Sequence, residues 1–437
     1  MKHLVAVVGR PNVGKSTLFN KIIGERVSIE DDMPGVTRDR IYAETWWRNF
    51  EFTMIDTGGL DPSDDIITKQ IYNQAELAID LAEVIVFVVD AKTGIVEGDQ
   101  EVAALLRKSG KNIVLAVNKV DHMANGIPAE VYEFYNLGLG DPVPVSAAQS
   151  LNLGELLDEI VNHFPPSTGE ETDDYIKVAI VGKPNVGKSS LVNKLLGEDR
   201  LIVSNIAGTT RDAIDTFLEK DGKKYNFIDT AGIRRKSKIK ENIEKYSIIR
   251  AVAAIERCDI CILVIDATEG VTDQDAKIIG MAHERGKAAI IAVNKWDAIE
   301  KDNHTMKQYI KDMDIRLAYM SYAEKIFISA LTGQRLHTIF ETIDNAYQNA
   351  NHRIATGILN DVLVEALAHN PPPFDKGRSL KIYYGTQVKV KPPTFVLFVN
   401  DEQLLHFSYK RYLENQFRAA FGFKGTPIHF LVRNKKD

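Results

Sequence analysis

Short apolar runs alternate with amphipathic stretches along most of the chain. The runs LVAVVG, FTMID, VIVFVVD and IVLAVNK have the length of buried strands, and polar residues follow them directly. Between the first two runs, residues 17–23 place Leu18, Phe19, Ile22 and Ile23 on one helical face. The alternation predicts an α/β fold, with a mainly parallel sheet and helices on both faces. Ligands of such folds bind beyond the carboxyl ends of the strands.

The same pattern occurs twice. GRPNVGKSTLFNKIIGE begins at Gly9 and GKPNVGKSSLVNKLLGE at Gly182, an offset of 173 that PGVTRD/AGTTRD and DTGG/DTAG share. The offset grows to 176 for NKVD/NKWD and to 183 for the two Ser-Ala pairs, so the second copy has small insertions late in its sequence. We therefore predict tandem domains at 1–165 and 174–348, joined by an acidic linker at 166–173.

Residues 349–437 have a different pattern, with elements in the predicted order α-β-β-α-β. This segment contains 13 Lys and Arg against 7 Asp and Glu, a net charge of +6. The whole chain has a net charge of −6, so the rest carries −12. A basic α+β domain on an acidic body predicts an acidic partner.

The bulk composition, 44% hydrophobic and 26% charged, is typical of a globular protein. Cys258 and Cys261 form a C-x-x-C that fits a redox pair, half of a metal site, or two small residues at the start of a buried strand; a second ligand pair for zinc is missing, so we predict the last. Since no apolar run approaches the roughly 20 residues of a membrane span and the first residues show no signal-peptide pattern, we expect a cytoplasmic monomer without a membrane segment.

Each copy contains G-x-x-x-x-G-K-S between a predicted strand and helix, which is the phosphate-binding P-loop. Its glycines let backbone N–H groups face phosphates, its lysine reaches the β- and γ-phosphates, and its serine hydroxyl ligates Mg²⁺. The predicted residues are Gly9, Arg10, Pro11, Asn12, Val13, Gly14, Lys15 and Ser16, and Gly182, Lys183, Pro184, Asn185, Val186, Gly187, Lys188 and Ser189.

Two further segments per copy are typical of γ-phosphate sensing. Thr37 and Thr210, in T-R-D, are predicted to complete the magnesium ligands with Ser16 and Ser189 and, with Lys15 and Lys188, to take part in catalysis. The D-x-x-G segments end strands, and their aspartates would hold Mg²⁺ through water. These segments comprise Asp56, Thr57, Gly58, Gly59 and Leu60, and Asp229, Thr230, Ala231, Gly232 and Ile233.

N-K-x-D downstream of these motifs predicts guanine as the base. Asp121 and Asp297 can accept hydrogen bonds from N1–H and the 2-amino group, donors that adenine does not offer as a pair. The asparagines would brace the loop, the lysine stems would cover the base, and the Ser-Ala pairs would offer an N–H to O6. The set is Asn118, Lys119, Val120, Asp121, Ser146 and Ala147, and Asn294, Lys295, Trp296, Asp297, Ser329 and Ala330.

Ras-type GTPases orient the attacking water with a glutamine directly after D-x-x-G, where this chain has Leu60 and Ile233. We therefore expect slow hydrolysis until a cation or a partner assists. The P-loop residues Asn12 and Asn185 either help to hold a monovalent cation near the β–γ bridge or only stabilise the loop. Arg38 and Arg211 are alternative groups acting in cis.

Two copies of GxPNVGKS, GxTRD, DTxG, NKxD and SA, followed by a basic α+β domain, resemble the bacterial tandem-GTPase family Der, or EngA, of the Era-like translation-factor class. The resemblance covers essentially the whole chain. It implies binding of GTP, GDP and magnesium, GTP hydrolysis linked to assembly of the large ribosomal subunit, potassium stimulation through the P-loop asparagine, and a KH-like C-terminal domain.

KH domains grip RNA with a GxxG loop between two helices, whereas the G-x-x-G at 422–425 lies between a predicted helix and a strand. The basic segment 234–240 is either a surface for RNA or interdomain contact or only a solvated face; it contains Arg234, Arg235, Lys236, Lys238 and Lys240. Our main hypothesis is a switch whose two GTP sites control binding to pre-ribosomal particles. The alternatives are a tRNA-modification component or RNA chaperone, for which no chemistry site is found, and a scaffold with vestigial nucleotide sites.

Overall fold

The computed structural model describes residues 3–24, 42–60, 67–123, 126–164, 175–197, 202–203, 215–230, 243–372, 374–375 and 378–435. The linker 166–173, Thr37, Arg38, Thr210, Arg211, residues 231–233 and the basic segment 234–240 lie outside these ranges. The described residues form two compact units, Met1–Thr172 with Lys240–Ala253, and Asp173–Ile239 with Ala254–Asp437.

The first part of the chain is an α/β domain. Its elements are β1 (His3–Val8), α1 (Lys15–Gly24), β2 (Tyr42–Trp47), β3 (Phe50–Asp56), α2 (Ile67–Leu81), β4 (Val84–Asp90), α3 (Glu97–Ser109), β5 (Asn112–Asn118), α4 (Ala129–Tyr132), β6 (Pro142–Pro144) and α5 (Leu153–Asn162). Within the described residues the sheet has six strands in the order β2-β3-β1-β4-β5-β6, and only the edge strand β2 pairs antiparallel.

The repeat has the same order of elements along the chain with one extra short strand, although residues up to Ala253 of its helix Ile243–Arg257 belong to the first unit. Its elements are β7 (Tyr175–Val181), α6 (Lys188–Leu196), β8 (Ile202–Val203), β9 (Thr216–Lys220), β10 (Lys223–Ile228), α7 (Ile243–Arg257), β11 (Ile260–Asp266), α8 (Asp273–Glu284), β12 (Ala288–Asn294), α9 (Thr305–Arg316), β13 (Glu324–Phe327) and α10 (His337–Asn351). Among the described residues this sheet has seven strands, in the order β13-β12-β11-β7-β10-β9-β8.

Helices cover both faces of the first sheet because its central strands alternate between two apolar cores. Val5, Val7 and Val86 face the core that includes Leu18 of α1. Their neighbours along the strands, such as Ala6, Val8 and Phe87, face the opposite core, to which α2 and α3 contribute. Every residue of β4 is therefore buried, which explains the continuous apolar run in the sequence and confirms the predicted architecture.

The C-terminal domain has the predicted α-β-β-α-β order, plus a short strand pair. Its elements are α11 (Thr356–His369), β14 (Phe374–Asp375), β15 (Arg378–Ser379), β16 (Ile382–Lys389), β17 (Thr394–Val399), α12 (Phe407–Phe421) and β18 (His429–Asn434). Strands β16, β17 and β18 form one sheet in that order, and its inner face packs on α11 and α12.

Backbone hydrogen bonds join this domain to the second α/β domain. Ala289 N, on β12, donates to Gly425 O at 2.7 Å, and Gly425 N donates to Tyr322 O at 2.7 Å. Lys391 N donates to Ala350 O at 3.0 Å. The G-x-x-G at 422–425 is therefore a docking loop within this unit. It lies between a helix and a strand, as predicted, and its docking role was not predicted.

Both cysteines are packing residues. Cys261 is the second residue of β11 and has no exposed surface, and Cys258 is buried just before that strand. Burial raises the pKa of Cys258 to about 12, so its thiolate is disfavoured. The described residues contain no cluster of three or more potential metal-ligating His, Cys, Asp or Glu side chains. Among them, no helix combines the length and apolar character needed to cross a membrane.

Candidate guanine-nucleotide sites

The first P-loop connects β1 to α1 and is pressed against two other strand ends. A Cβ atom on Gly9 would lie 2.3 Å from Val88 O, and one on Gly14 would lie 2.2 Å from Asn118 Nδ2. Gly14 also has a φ of +95°, which glycine adopts without steric cost. The two glycines are therefore required by close approach as well as by the turn of the loop.

The second P-loop repeats both contacts. A Cβ atom on Gly182 would lie 2.4 Å from Val264 O, and one on Gly187 would lie 2.2 Å from Asn294 Nδ2. The duplication thus preserves the contacts between loop and strands, not only the motif letters.

Each P-loop lysine points into its own loop. Lys15 Nζ donates to Gly9 O at 2.5 Å and to Arg10 O at 2.7 Å. Burial lowers the pKa of Lys15 to about 8, against the opposing effect of Asp56. Lys188 donates to Gly182 O at 2.6 Å and to Lys183 O. A buried ammonium at the centre of a loop of N–H donors is suited to an anion such as a phosphate chain.

The end of β3 brings the D-x-x-G segment onto the P-loop. Ser16 Oγ donates to Asp56 Oδ2 at 2.6 Å, and Gly58 N donates to Asp56 Oδ1 at 2.8 Å. A Cβ atom on Gly58 would lie 2.5 Å from Lys15 Cε. A hydroxyl and a carboxylate side by side fit a hard, oxygen-ligated cation such as Mg²⁺.

The corresponding end of β10 is arranged differently. Asp229 lies just after the strand with a φ of +56°, and its N–H donates to Asp215 Oδ1 at 3.0 Å. Asp215 is buried and pairs with Arg257, at 2.5 Å between Oδ2 and Nη2. This ion pair ties the start of β9 to the end of α7 beside the second site.

The asparagines of the two N-K-x-D segments brace the P-loops. Asn118 Nδ2 donates to Val13 O at 2.7 Å, and Asn118 Oδ1 accepts from Ala147 N at 3.0 Å. Asn294 makes the same two bonds with Val186 O and Ala330 N, both at 2.8 Å. The backbone N–H groups of Ala147 and Ala330, which were expected to face guanine O6, thus already donate to an asparagine oxygen. A hydrogen bond to O6 would have to be a second bond from the same N–H.

The carboxylate that is predicted to read guanine in the first copy, that of Asp121, is held on both oxygens. Ser146 Oγ donates to Asp121 Oδ1 at 2.8 Å, and Lys92 Nζ donates to Asp121 Oδ2 at 2.6 Å. Hydrogen bonding from Lys92 holds the pKa of Asp121 below its usual value. The second copy has Thr268 where the first has Lys92, and its hydroxyl donates to Asp266 instead. The two base sites therefore differ in charge.

Four carboxylates outside the motifs complete the sites. Asp90 and Asp266, at the ends of β4 and β11, pair with Lys119 (2.6 Å) and Lys295. Asp99 and Asp275, both buried near the start of a helix, face the P-loop cations Arg10 (2.8 Å) and Lys183 (4.0 Å). None of the four was predicted from the sequence. The signal was available, since both pairs are spaced by 176 residues, as the N-K-x-D segments are.

The structure leaves several predicted residues outside these contacts. Thr37, Thr210, Ala231, Gly232 and Ile233 lie outside the described residues, and Gly59 and Leu60 are described only as backbone in a 3-10 helix at Thr57–Leu60. Val120 and Trp296 are buried beside their base-reading loops. Thr57 Oγ1 donates to Val7 O at 2.6 Å, and the Thr230 hydroxyl contacts that of Thr216 at 2.5 Å. Pro11, Pro184 and Ser329 occupy their loops as the motifs require.

Asn12 and Asn185 share a left-handed backbone, with φ of 65° and 67°. Asparagine tolerates this conformation better than most residues with a side chain. Loop geometry is therefore sufficient to account for an asparagine at both positions.

Comparison with known proteins agrees with this arrangement. The family model described as "50S ribosome-binding GTPase" matches residues 4–119 and 177–295, and that described as "KH-domain-like of EngA bacterial GTPase enzymes, C-terminal" matches 353–433. GTPase Der of Agathobacter rectalis is 63% identical over 438 residues, covering 100% of this chain and 99% of that protein. GTPase Der of Alkaliphilus metalliredigens is 61% identical over 436 residues, with 99% of each covered.

Solved structures match over part of the chain. The FeoB G-domain from Methanococcus jannaschii is 29% identical with a TM-score of 0.28, covering 37% of this chain and 98% of that one. Aquifex aeolicus Era bound to GDP.AlF4- is 24% identical with a TM-score of 0.30, covering 59% and 92%. Because the identity to the curated relatives extends over both full lengths, the chain belongs to the Der (EngA) family of ribosome-binding GTPases, which bind guanine nucleotides and hydrolyse GTP.

Proposed function

We propose that this GTPase is a switch in assembly of the large ribosomal subunit, binding pre-ribosomal particles in a manner set by the nucleotide in its two sites. The protein acts as a monomer whose partners are ribosomal RNA and proteins. Two sites with matching loop contacts support a role for both, since a vestigial copy would not need to keep glycines at the two points of close approach.

The path from the second site to the C-terminal domain carries this proposal. Strand β12 begins beside the docking loop, where Ala289 N bonds Gly425 O, and ends at Asn294, which braces the P-loop. One rigid, fully buried strand therefore connects the base-reading segment to the basic domain. A rearrangement at this site that moves β12 also moves the C-terminal domain.

The proposed chemistry uses the motif residues of each copy. Ser16 with Thr37, and Ser189 with Thr210, hold magnesium, and Lys15 and Lys188 neutralise the phosphate chain. When bound, the metal supplies positive charge at the β- and γ-phosphates. Thr37 and Thr210 also order their segments in the triphosphate state. Hydrolysis is slow without help because aliphatic residues follow D-x-x-G at positions 60 and 233.

Co-sedimentation tests the switch. Purified large-subunit precursors are mixed with the full chain under a GTP analogue, GDP or no nucleotide, and bound protein is measured. We expect binding to depend on nucleotide, and Lys188→Ala to remove the dependence. Lys194→Ala, an exposed lysine on the same helix, is the matched control and should behave as wild type. Equal binding of the wild-type chain under all three conditions would refute the switch.

Potassium is the proposed activator, held in part by Asn12 and Asn185. Replacing Asn185 by glycine keeps the left-handed backbone accessible and removes only the side-chain amide. We expect potassium, compared with sodium, to stimulate GTP hydrolysis, and Asn185→Gly in an Asn12→Gly background to abolish the stimulation. Asn193→Gly on the exposed face of α6 checks for a general loss of activity. Stimulation that survives in the double variant would assign these asparagines to loop structure only.

The scaffold alternative is separated by counting nucleotides. Two guanine nucleotides bound per chain at saturation would support the proposal, and one would favour a dead site in the other copy.

A further inference from the structure

The outer face of the C-terminal sheet carries an aromatic and basic surface. The inner face, with Phe395, Leu397 and Phe430, is buried against the helices. Because side chains alternate along a strand, the outer face receives the residues between them. Strand register places Tyr384 beside Phe398 and Phe398 beside Arg433, so one row crosses all three strands.

An irregularity in β16 enlarges this surface. Ile382 and Gly385 are both buried, and the pairing shifts between Ile382 and Tyr384. The extra residue lets two consecutive tyrosines reach solvent, since Tyr383 is 50% exposed and Tyr384 is 41% exposed. A regular strand would direct one of them into the core.

Both tyrosine rings contact neighbours on this surface and remain partly exposed. Tyr384 stacks on Phe398 with centroids 4.4 Å apart and planes 18° apart, so one face of Tyr384 is covered by a parallel ring. Lys435 Nζ lies 4.9 Å from the centroid of Tyr383. Leu431, 47% exposed, continues the apolar surface along β18. Large aromatic groups at such exposure indicate a binding surface more often than scattered aliphatic ones do.

The charge of the surface selects its partner. The three strands contain no acidic residue, and Arg433 and Lys435 are exposed beside the rings. Exposed rings with flanking cations match stacked bases with intervening phosphates. A purely apolar protein partner would leave these cations unmatched.

We propose that the outer face of β16–β17–β18 binds single-stranded RNA, with bases stacking on Tyr384 and Tyr383 and phosphates pairing with Arg433 and Lys435. This surface lies on the sheet and is independent of the G-x-x-G at 422–425, whose Gly425 backbone docks onto the second GTPase domain. The choice of RNA over DNA rests on the proposed ribosomal function.

Fluorescence anisotropy of a short, labelled, unstructured RNA titrated with the full GDP-bound chain tests the surface. Tyr384→Leu removes the ring and keeps apolar volume; we expect affinity to fall roughly 5- to 150-fold, the range for loss of one stacked base. Tyr384→Phe should bind as wild type. Arg433→Gln should weaken binding and make the slope of log K against log salt shallower by about 0.7, as for one phosphate of a single strand.

Two variants in the same domain serve as controls. Phe407→Leu removes a 70% exposed aromatic ring, and Arg411→Gln removes an exposed cation, both on α12. Neither should change RNA affinity. Equal effects of Tyr384→Leu and Phe407→Leu, or failure of Tyr384→Phe to retain binding, would overturn the proposal.

The same variants in the co-sedimentation assay separate this inference from the proposed function. RNA affinity lost in Tyr384→Leu, with wild-type particle binding that ignores nucleotide, would uphold the RNA surface and reject the switch. Particle binding that depends on nucleotide, with unchanged RNA affinity in Tyr384→Leu and Arg433→Gln, would reject the surface and leave the switch. Particle binding lost by Tyr384→Leu while RNA affinity is unchanged would mean that the face contacts a protein, and would also reject the RNA proposal.

Discussion

The docking loop of the C-terminal domain offers a sharp test of how that domain is attached. Gly425 has a φ of +77°, and a Cβ atom there would lie 2.8 Å from the Cβ of Ala346 on α10. Its N–H and C=O both bond across to the second GTPase domain. Gly425→Ala therefore strains the loop and also forces it away from α10.

The two effects have different sizes. A left-handed residue with a Cβ costs about 1–2 kcal/mol, and inserting a methyl group into a packed contact costs about 1–3 kcal/mol. Gly222→Ala is the matched control, since Gly222 has a φ of +76° and open space around its Cβ position. Only in Gly425→Ala does the added methyl group also collide with a neighbour, and it does so only while the domain is docked. The free energy of docking should therefore become less favourable by about 1–3 kcal/mol.

Amide hydrogen exchange measures this directly. Ala289 N donates to Gly425 O, so its exchange requires separation of the domain from β12. At fixed pH, Gly425→Ala should speed exchange at Ala289 by roughly 5- to 150-fold, and Gly222→Ala should leave it at the wild-type rate. An unchanged rate in Gly425→Ala, or the same acceleration in Gly222→Ala, would refute the account of docking through close backbone contact.

Three further predictions concern the sites and the docked domain. Asp297→Asn should shift the second site from guanine toward xanthine nucleotides, because the amide offers a donor where guanine requires acceptors; competition binding measures it. Burial lowers the pKa of Lys15 to about 8, and bound phosphates favour its ammonium form. GDP binding at the first site should therefore weaken above about pH 8 and should be accompanied by uptake of a proton, which calorimetry in different buffers measures. Burial lowers the pKa of His283 and His429. The free energy of unfolding, measured with urea, should therefore be highest above about pH 6.5 and should fall as the pH decreases toward the lowered pKa values of the folded state.

Each of the three predictions has a result that would contradict it. Unchanged guanine preference in Asp297→Asn, with Asp312→Asn on α9 as control, would mean that the loop reads the base differently. Proton uptake that persists in Lys15→Met would assign the proton to another group. The charged groups that act on the two histidine rings are Glu414, Arg418, Lys410 and Lys389. A stability profile flat between about pH 7 and 5 would show that the two rings are not held neutral.

Much of the fold could be predicted from the sequence because each central strand is buried on both faces. Strand β4 needs apolar side chains at every position, so VIVFVVD appears as an unbroken run. The edge strand β2 was not predicted, since only Thr45 of its six residues is buried and its pattern is mixed. Edge strands face solvent on one side and lose the apolar signal for that reason.

The nucleotide residues were readable for a chemical reason. Phosphate needs backbone N–H groups from a tight loop, and guanine needs a carboxylate, so fixed residue types recur at short spacing. The roles of Asp90 and Asp266 were not predicted because their ion-pair partners depend on how the strands pair. Strand β4 pairs with β5 and β11 pairs with β12, which places Asp90 beside Asn118 and Asp266 beside Asn294. The sequence of either strand does not show which lysine its aspartate will pair with.

The sequence by itself determined the duplicated α/β architecture and the two P-loops, and it predicted the carboxylates that would read guanine, because each depends on residues close together along the chain. Only the tertiary structure decided that Gly425 docks on β12, that the two sites differ in charge at Lys92 and Thr268, and that Tyr383 and Tyr384 share an exposed face. These features depend on strand register, on one β-bulge, and on close contact between segments far apart in sequence, which local patterns do not encode.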